Sequence, residues 1–350
     1  MKWLMLTLFS ILLVLACLLV PLRVATQTRE RKVGQSSSPA AAAPAPTPAA
    51  DDVVKVDVDL VVLDALIMQK KTSRVVGGLK PDNFMLSEDG VKQEITHFSQ
   101  DTYPLSVLLL VDRGGCLDPF GSEVRRATLD ALKRLKPEDE VALMTYHNDA
   151  ELIEGFSRDR GRIEDALNHI PPHDEQADHC LNIAFFKAAQ YMSEAGNPVG
   201  RRVIIVITGV TSNFDCDGPS GKAAMHEVFE SGSVVCGLIP RSTEQRMESG
   251  IMRTATSIGG LFKAPTLRIN QLAEETGGEV LDDKPENLDR AFNTLIDHLR
   301  SRYSIGFVSS NKKHDGTVRK LKLEISPAAQ KSQGGKLVVK TRRSYIAPGS

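Results

Sequence analysis

The chain has 350 residues, of which 41% are hydrophobic and 25% charged, with a formal net charge of −1. That length holds one large domain or two modest ones, and the composition is ordinary for a globular protein. The near-neutral charge gives no whole-chain attraction to nucleic acid or anionic lipid, and one Trp with five Tyr is too few for an aromatic platform that stacks bases or sugars.

At the N-terminus, Lys2 precedes an apolar run from Trp3 to Val20, closed by Pro21 and Arg23. Residues 1–26 therefore read as an export signal cleaved near Ala25 or Thr26, or as an uncleaved anchor, because residues 3–20 approach membrane-spanning length. Acylation of Cys17 is a third option. Each places the rest of the chain outside the cytoplasm: secreted, periplasmic, or membrane-attached through residues 3–20. Residues 27–50 are rich in Pro, Ala and Ser. They hold too little apolar bulk to offset the entropy of ordering, and read as a linker.

Residues 51–102 read as β. Val54, Val56, Val58, Leu60 and Val62 alternate with polar residues, the period of a half-buried strand. From Val61 the opposite set, Val61, Leu63, Ala65 and Ile67, is apolar too, which implies a bulge or burial on both faces. Strands are expected around Phe84–Leu86 and Ile95–Phe98, with a turn at Glu88-Asp89-Gly90.

Pro104 marks a change, and residues 103–302 alternate strands with helices. Strands are predicted at Val107–Val111, Val141–Tyr146, Val203–Thr208 and Val234–Ile239. Helices are predicted at Ser122–Leu135, Arg160–His169, Asp178–Ser193, Ala223–Ser231, Ile269–Thr276 and Leu288–Arg302. Such alternation predicts an α/β fold, a doubly wound and mostly parallel sheet covered on both faces. Residues 303–350 return to β, with strands at Tyr303–Val308, Leu321–Ile325 and Leu337–Lys340. Neither terminal β segment holds a core alone, so the two are expected to pair into a small β-sandwich with the α/β part inserted between them.

The strand Val107–Val111 ends in Asp112-Arg113-Gly114-Gly115-Cys116, a lone carboxylate at the carboxyl end of a buried strand, where open α/β sheets bind ligands. The order of elements resembles a von Willebrand factor type A domain. The best matching run is Asp139-Glu140-Val141-Ala142-Leu143-Met144-Thr145-Tyr146, followed by Asp149-Ala150-Glu151-Leu152 and Phe156-Ser157-Arg158-Asp159-Arg160. The flanks resemble the related proteins abundant in Acidobacteria: GLKPDNFMLSEDGVKQEITHFS (Gly78–Ser99), LAEETGGEVL (Leu272–Leu281), LRSRYSIGF (Leu299–Phe307) and RRSYIAP (Arg342–Pro348). The resemblance covers residues 52–348 and implies an exported protein with a binding-type domain and no known reaction.

Type A domains commonly hold Mg²⁺ or Mn²⁺ on an Asp-x-Ser-x-Ser motif, a Thr and a second Asp, because hard cations take oxygen ligands. Carried over, the first Asp is Asp112, the two Ser positions fall on Gly114 and Cys116, the Thr position on His179, and the second Asp on Gly209. One of the oxygen donors survives, with Asp178, Asp215 and Asp217 nearby in sequence as compensators. The resemblance thus implies a degenerate adhesion site with no bound metal. Asp112, Cys116, His179, Cys180 and Cys216 fall on loops at one end of the sheet, and thiolate and imidazole suit Zn²⁺, though the spacings match no familiar zinc pattern. The preferred reading of the cysteines is a disulfide between Cys180 and Cys216, tying two former metal loops. The rival pairing uses Cys116, and Cys236, in an apolar strand, is a buried free thiol.

No Gly-x-Ser-x-Gly and no phosphate-binding Gly-x-x-x-x-Gly-Lys-Ser/Thr occurs. The Lys and Arg of residues 311–343 read as edge-strand charges that discourage aggregation. The function expected is a non-enzymatic exported module that binds a protein or peptide through loops 112–121, 174–180 and 209–219, without cofactor. A zinc-dependent hydrolase built on the Cys/His cluster is the alternative.

Overall fold

A computed structural model of the chain describes residues 60–100, 103–170, 178–197, 200–213, 216–242 and 267–349. The expected export segment and linker lie outside these residues. Among the described residues no helix is long and apolar enough to cross a membrane.

Four strands come first: β1 (Leu60–Gln69), β2 (Phe84–Glu88), β3 (Val91–Gln93) and β4 (His97–Ser99). The α/β part follows with β5 (Leu105–Asp112), α1 (Gly121–Arg134), β6 (Glu140–Tyr146), β7 (Ala150–Ser157), α2 (Arg160–Asn168), α3 (Leu181–Tyr191) and β8 (Arg201–Ile207). It continues through β9 (Ser212–Asn213), α4 (Gly221–Glu230), β10 (Val234–Pro240), β11 (Leu267–Arg268), α5 (Ile269–Thr276), β12 (Val280–Asp283) and α6 (Leu288–Arg300). The chain closes with β13 (Tyr303–Val308), β14 (Val318–Ile325), α7 (Pro327–Ser332), β15 (Leu337–Thr341) and β16 (Ser344–Ile346).

The central sheet has the order β12-β10-β8-β5-β6-β7, parallel throughout except for antiparallel β7. β5 and β8 are buried along nearly their whole length because helices cover both faces. On one face α1, α2 and α6 pack Val124, Ala131, Ile163, Phe292 and Leu295 against the sheet. On the other, α3, α4 and α5 bring Phe185, Ala188, Val228 and Leu272. In α1 the buried positions Val124, Ala127, Thr128, Ala131 and Leu132 recur at helical spacing, which is why that segment folds as an amphipathic helix.

The terminal segments form two four-stranded antiparallel sheets, β15-β1-β13-β4 and β16-β14-β2-β3. Leu63, Ala65 and Ile67 of the first pack with Phe84, Leu86, Leu321 and Leu323 of the second in one core, so the expected sandwich is the observed one. β1 pairs with β13 through Val61↔Phe307 to Ala65↔Tyr303, then with β15 through Ala65↔Thr341 to Gln69↔Leu337. Both registers run unbroken. The apolar run is therefore a strand buried on both faces at residues 65–68, rather than a bulge.

Arg201, at the start of β8, ties the two parts together. Its side chain bonds Asp64 of β1 at 3.0 Å, the Leu299 carbonyl of α6 at 3.1 Å and the Arg302 carbonyl at 2.9 Å, and Ser304 of β13 donates to the same Asp64 at 2.8 Å. A second seam lies where α5 ends. Gly277 takes φ +79°, and a Cβ there would stand 2.5 Å from the Thr341 carbonyl carbon of β15. Only glycine permits both the left-handed turn and that approach.

Several elements differ from the sequence expectations. The helix expected to begin at Asp178 begins at Leu181, because the preceding residues belong to a disulfide-held loop. The helix expected to reach Arg302 ends at Arg300, where the Arg302 guanidinium turns inward to bond the Gly277 carbonyl at 2.8 Å. The strand expected at Ile95–Phe98 is short and shifted to His97–Ser99. Helix α7 was not expected; Pro327 at its first position and the Ser326 hydroxyl accepting from the Ala329 N–H start it.

Candidate functional site

From β5 the chain passes to β6 and β7 on one side of the sheet, and β8, β10 and β12 build the other. The strand order reverses between β5 and β8, and a crevice opens beyond the carboxyl ends of strands at such a point. Two residues end these strands side by side, Asp112 on β5 and Thr208 just after β8, and Tyr146, ending β6, lies opposite Asp112 on the other flank.

The structure gathers all five sequence-derived site positions here. Asp112 is 4% exposed, and its carboxylate accepts from five donors. They are the Gly114 N–H at 2.8 Å, the Thr208 hydroxyl at 2.5 Å, the Tyr146 hydroxyl at 3.0 Å, the Cys116 thiol at 3.3 Å and His179 Nδ1. His179 Nδ1 lies 2.9 Å from each carboxylate oxygen. The Gly209 N–H donates to Cys116 Sγ at 3.1 Å. Sequence reasoning missed Tyr146 and the role of Thr208. Both stand at strand ends flanking β5, and that position was the available signal.

The electrostatics follow from this packing. Burial alone would raise the Asp112 carboxyl, but the His179 and Thr208 hydrogen bonds and the His179 charge outweigh it and hold its pKa below the usual value. The hydrogen bond to Asp112, then that to Cys116, push His179 up to about 10. Burial, then the Asp112 charge, keep Tyr146 well above its ordinary value, so it serves as a donor.

The loops that carry these residues are tied covalently. Cys180 and Cys216 form a disulfide across a separation of 36 residues, so the pairing through Cys116 is not the one adopted. Cys116 is a half-buried free thiol, and Cys236 a fully buried one whose pKa burial raises to about 11. The Asn182 side chain adds hydrogen bonds to the Asp217 and Pro219 carbonyls at 3.4 and 2.8 Å. On the rim, Lys187 pairs with Asp149 at 2.6 Å, and Arg241 with Asp282 at 3.1 Å.

The residues fit a hard divalent cation poorly. Gly114 and Gly209 carry no side-chain donor, Cys116 and His179 offer sulfur and nitrogen, and the one carboxylate is saturated by protein donors. Asp178 and Asp217 are exposed and stand outside the ligating group, and Asp215 lies outside the described residues. Among the described residues the group able to hold a metal is Asp112, Cys116 and His179, whose ligand atoms lie within 4.8 Å of one another. Cys180 and Cys216, spent in their disulfide, drop out of the expected zinc cluster.

Residues 107–211 match the family model of the von Willebrand factor type A domain. No curated protein matches the chain. Similar solved structures include an aerotolerance-related membrane protein from Bacteroides fragilis, 18% identical over 55% of this chain and 98% of its own, with a TM-score of 0.38. Another is BatB from Bacteroides thetaiotaomicron, 17% identical over 56% of this chain and 98% of its own, with a TM-score of 0.40. A von Willebrand factor type A protein from Catenulispora acidiphila is 9% identical over 82% of this chain and 74% of its own, with a TM-score of 0.42. The matched segment runs from the strand that ends in Asp112 to the loop beyond Thr208, and over those residues the chain is similar to the von Willebrand factor type A domain.

Proposed function

We propose that the chain is an exported, non-enzymatic interaction module that binds a protein or peptide through the loops at the carboxyl edge of the central sheet, without a bridging metal. The observation that carries this reading is the saturated Asp112. A carboxylate with five internal donors supports the loops instead of coordinating an ion shared with a partner. Affinity then comes from the loop surface itself, where Asp118, Asp178 and Asp217 are exposed. Export is supported by the Cys180–Cys216 disulfide, since such bonds persist in oxidising compartments.

The test is partner capture with the wild type in chelator, beside a variant carrying Asp118→Arg and Asp217→Arg. Retention of a partner in chelator, with loss in the variant, is the expected result. Capture that chelator abolishes would overturn the reading. A second reading, a zinc-dependent hydrolase, is favoured by the Asp112–Cys116–His179 group alone. Stoichiometric zinc in purified protein, with turnover lost on Cys116→Ala, would establish it.

A further inference from the structure

The four family positions that depart from the metal-binding pattern depend on one another in space. A Cβ on Gly114 would stand 2.5 Å from both Cε1 and Nδ1 of His179, closer than side chains approach, so the imidazole lies where a serine at 114 would be. A Cβ on Gly209 would stand 3.1 to 3.3 Å from Cys116 Cβ, Sγ and carbonyl oxygen, so an aspartate at 209 would press on the thiol. Backbone contacts fix the ring's approach: the Cys180 N–H bonds the His147 carbonyl at 3.0 Å, and the next atoms of Cys180 are held in the disulfide to Cys216.

We infer that the His179 ring holds the place on Asp112 that the resemblance gives to a divalent metal, with Gly114, Cys116 and Gly209 the substitutions that admit it. The contact from Nδ1 to both carboxylate oxygens is that of an N–H donor facing an anion. The ring bonds both oxygens of Asp112, so an ion seated on that carboxylate in the family's manner would have to displace it, and the loops keep one arrangement whether or not Mg²⁺ or Mn²⁺ is present. His179 is on this account a positioning residue, and the inference deepens the metal-free reading above.

A double-mutant cycle on the full chain tests it and needs no partner, so its failure is distinct from a failure to find one. Gly114→Ser alone is expected to lower the thermal midpoint by roughly 5 °C through overpacking. Adding His179→Ala to that variant should return at least half of the loss, although His179→Ala alone also lowers the midpoint. Additive losses would sink the inference. Should Gly114→Ser fail to fold, the wild type carries the test. The side-chain ¹⁵N shifts of His179 should show a proton on Nδ1 and stay unchanged by millimolar Mg²⁺, Mn²⁺ or Zn²⁺. Shifts that move on adding a metal, or zinc binding at one equivalent with Cys116 protected from a thiol reagent, would overturn it.

Discussion

At the scale of single residues, the pair Asp112–His179 sets a pH window for stability. The His179 pKa rises on folding from 6.5 to about 10, so its contribution is complete below pH 6.5 and is lost as pH climbs towards 10. The Asp112 pKa falls on folding, so its contribution is present above the unfolded value of 3.8 and is lost at lower pH as the carboxyl protonates. The wild type should therefore exceed His179→Gln in stability by its largest margin near pH 5 to 6.5, with the margin shrinking steadily to pH 10. Urea midpoints of the two proteins across that range check this, and a margin independent of pH would contradict it. The sequence alone places Asp112, Cys116 and His179 at one end of the sheet, because Asp112 ends a predicted strand and the other two align with family positions. It did not reveal that Asp112 is saturated. That depends on Tyr146 and Thr208, whose convergence comes from strand order, a property no local pattern encodes.

At the scale of elements, the helices and buried strands of the α/β part were legible because their apolar spacing is unambiguous. The Ile269–Thr276 helix was read to the residue, since Gly277-Gly278 ends it. The short pieces β3, β12 and β16 were not, because three or four residues carry too little periodicity to separate a strand from a loop. The loop before α3 carries a helical pattern in sequence, yet a covalent tie overrides that propensity. That tie closes a span of 36 residues between Cys180 and Cys216. Replacing both cysteines by serine should cost roughly 2 to 4 kcal/mol. Hydrogen exchange should locate the loosening in loops 178–180 and 209–219, with β5 and β8 still protected; uniform loss across the sheet would show that the bond acts elsewhere.

At the scale of the whole molecule, the sandwich and the α/β part meet through Arg201, 4% exposed and bonded to both. Arg201→Met leaves Asp64 bonded to Ser304 but without its cation, and frees the Leu299 and Arg302 carbonyls, at a cost of about 3 kcal/mol. Calorimetry should then resolve two transitions in place of one, whereas an unchanged single transition would mean the coupling lies in other contacts. The neighbours of β1, β13 and β15, are made last, and Asp64 waits for Ser304, 240 residues downstream. At translation rates of about 5 to 20 residues per second, the apolar face of that strand stays without a mate for roughly 10 to 50 s. A truncation before residue 303 is thus expected to leave β1 unpaired and to make the chain aggregate, which light scattering of the truncated protein would show.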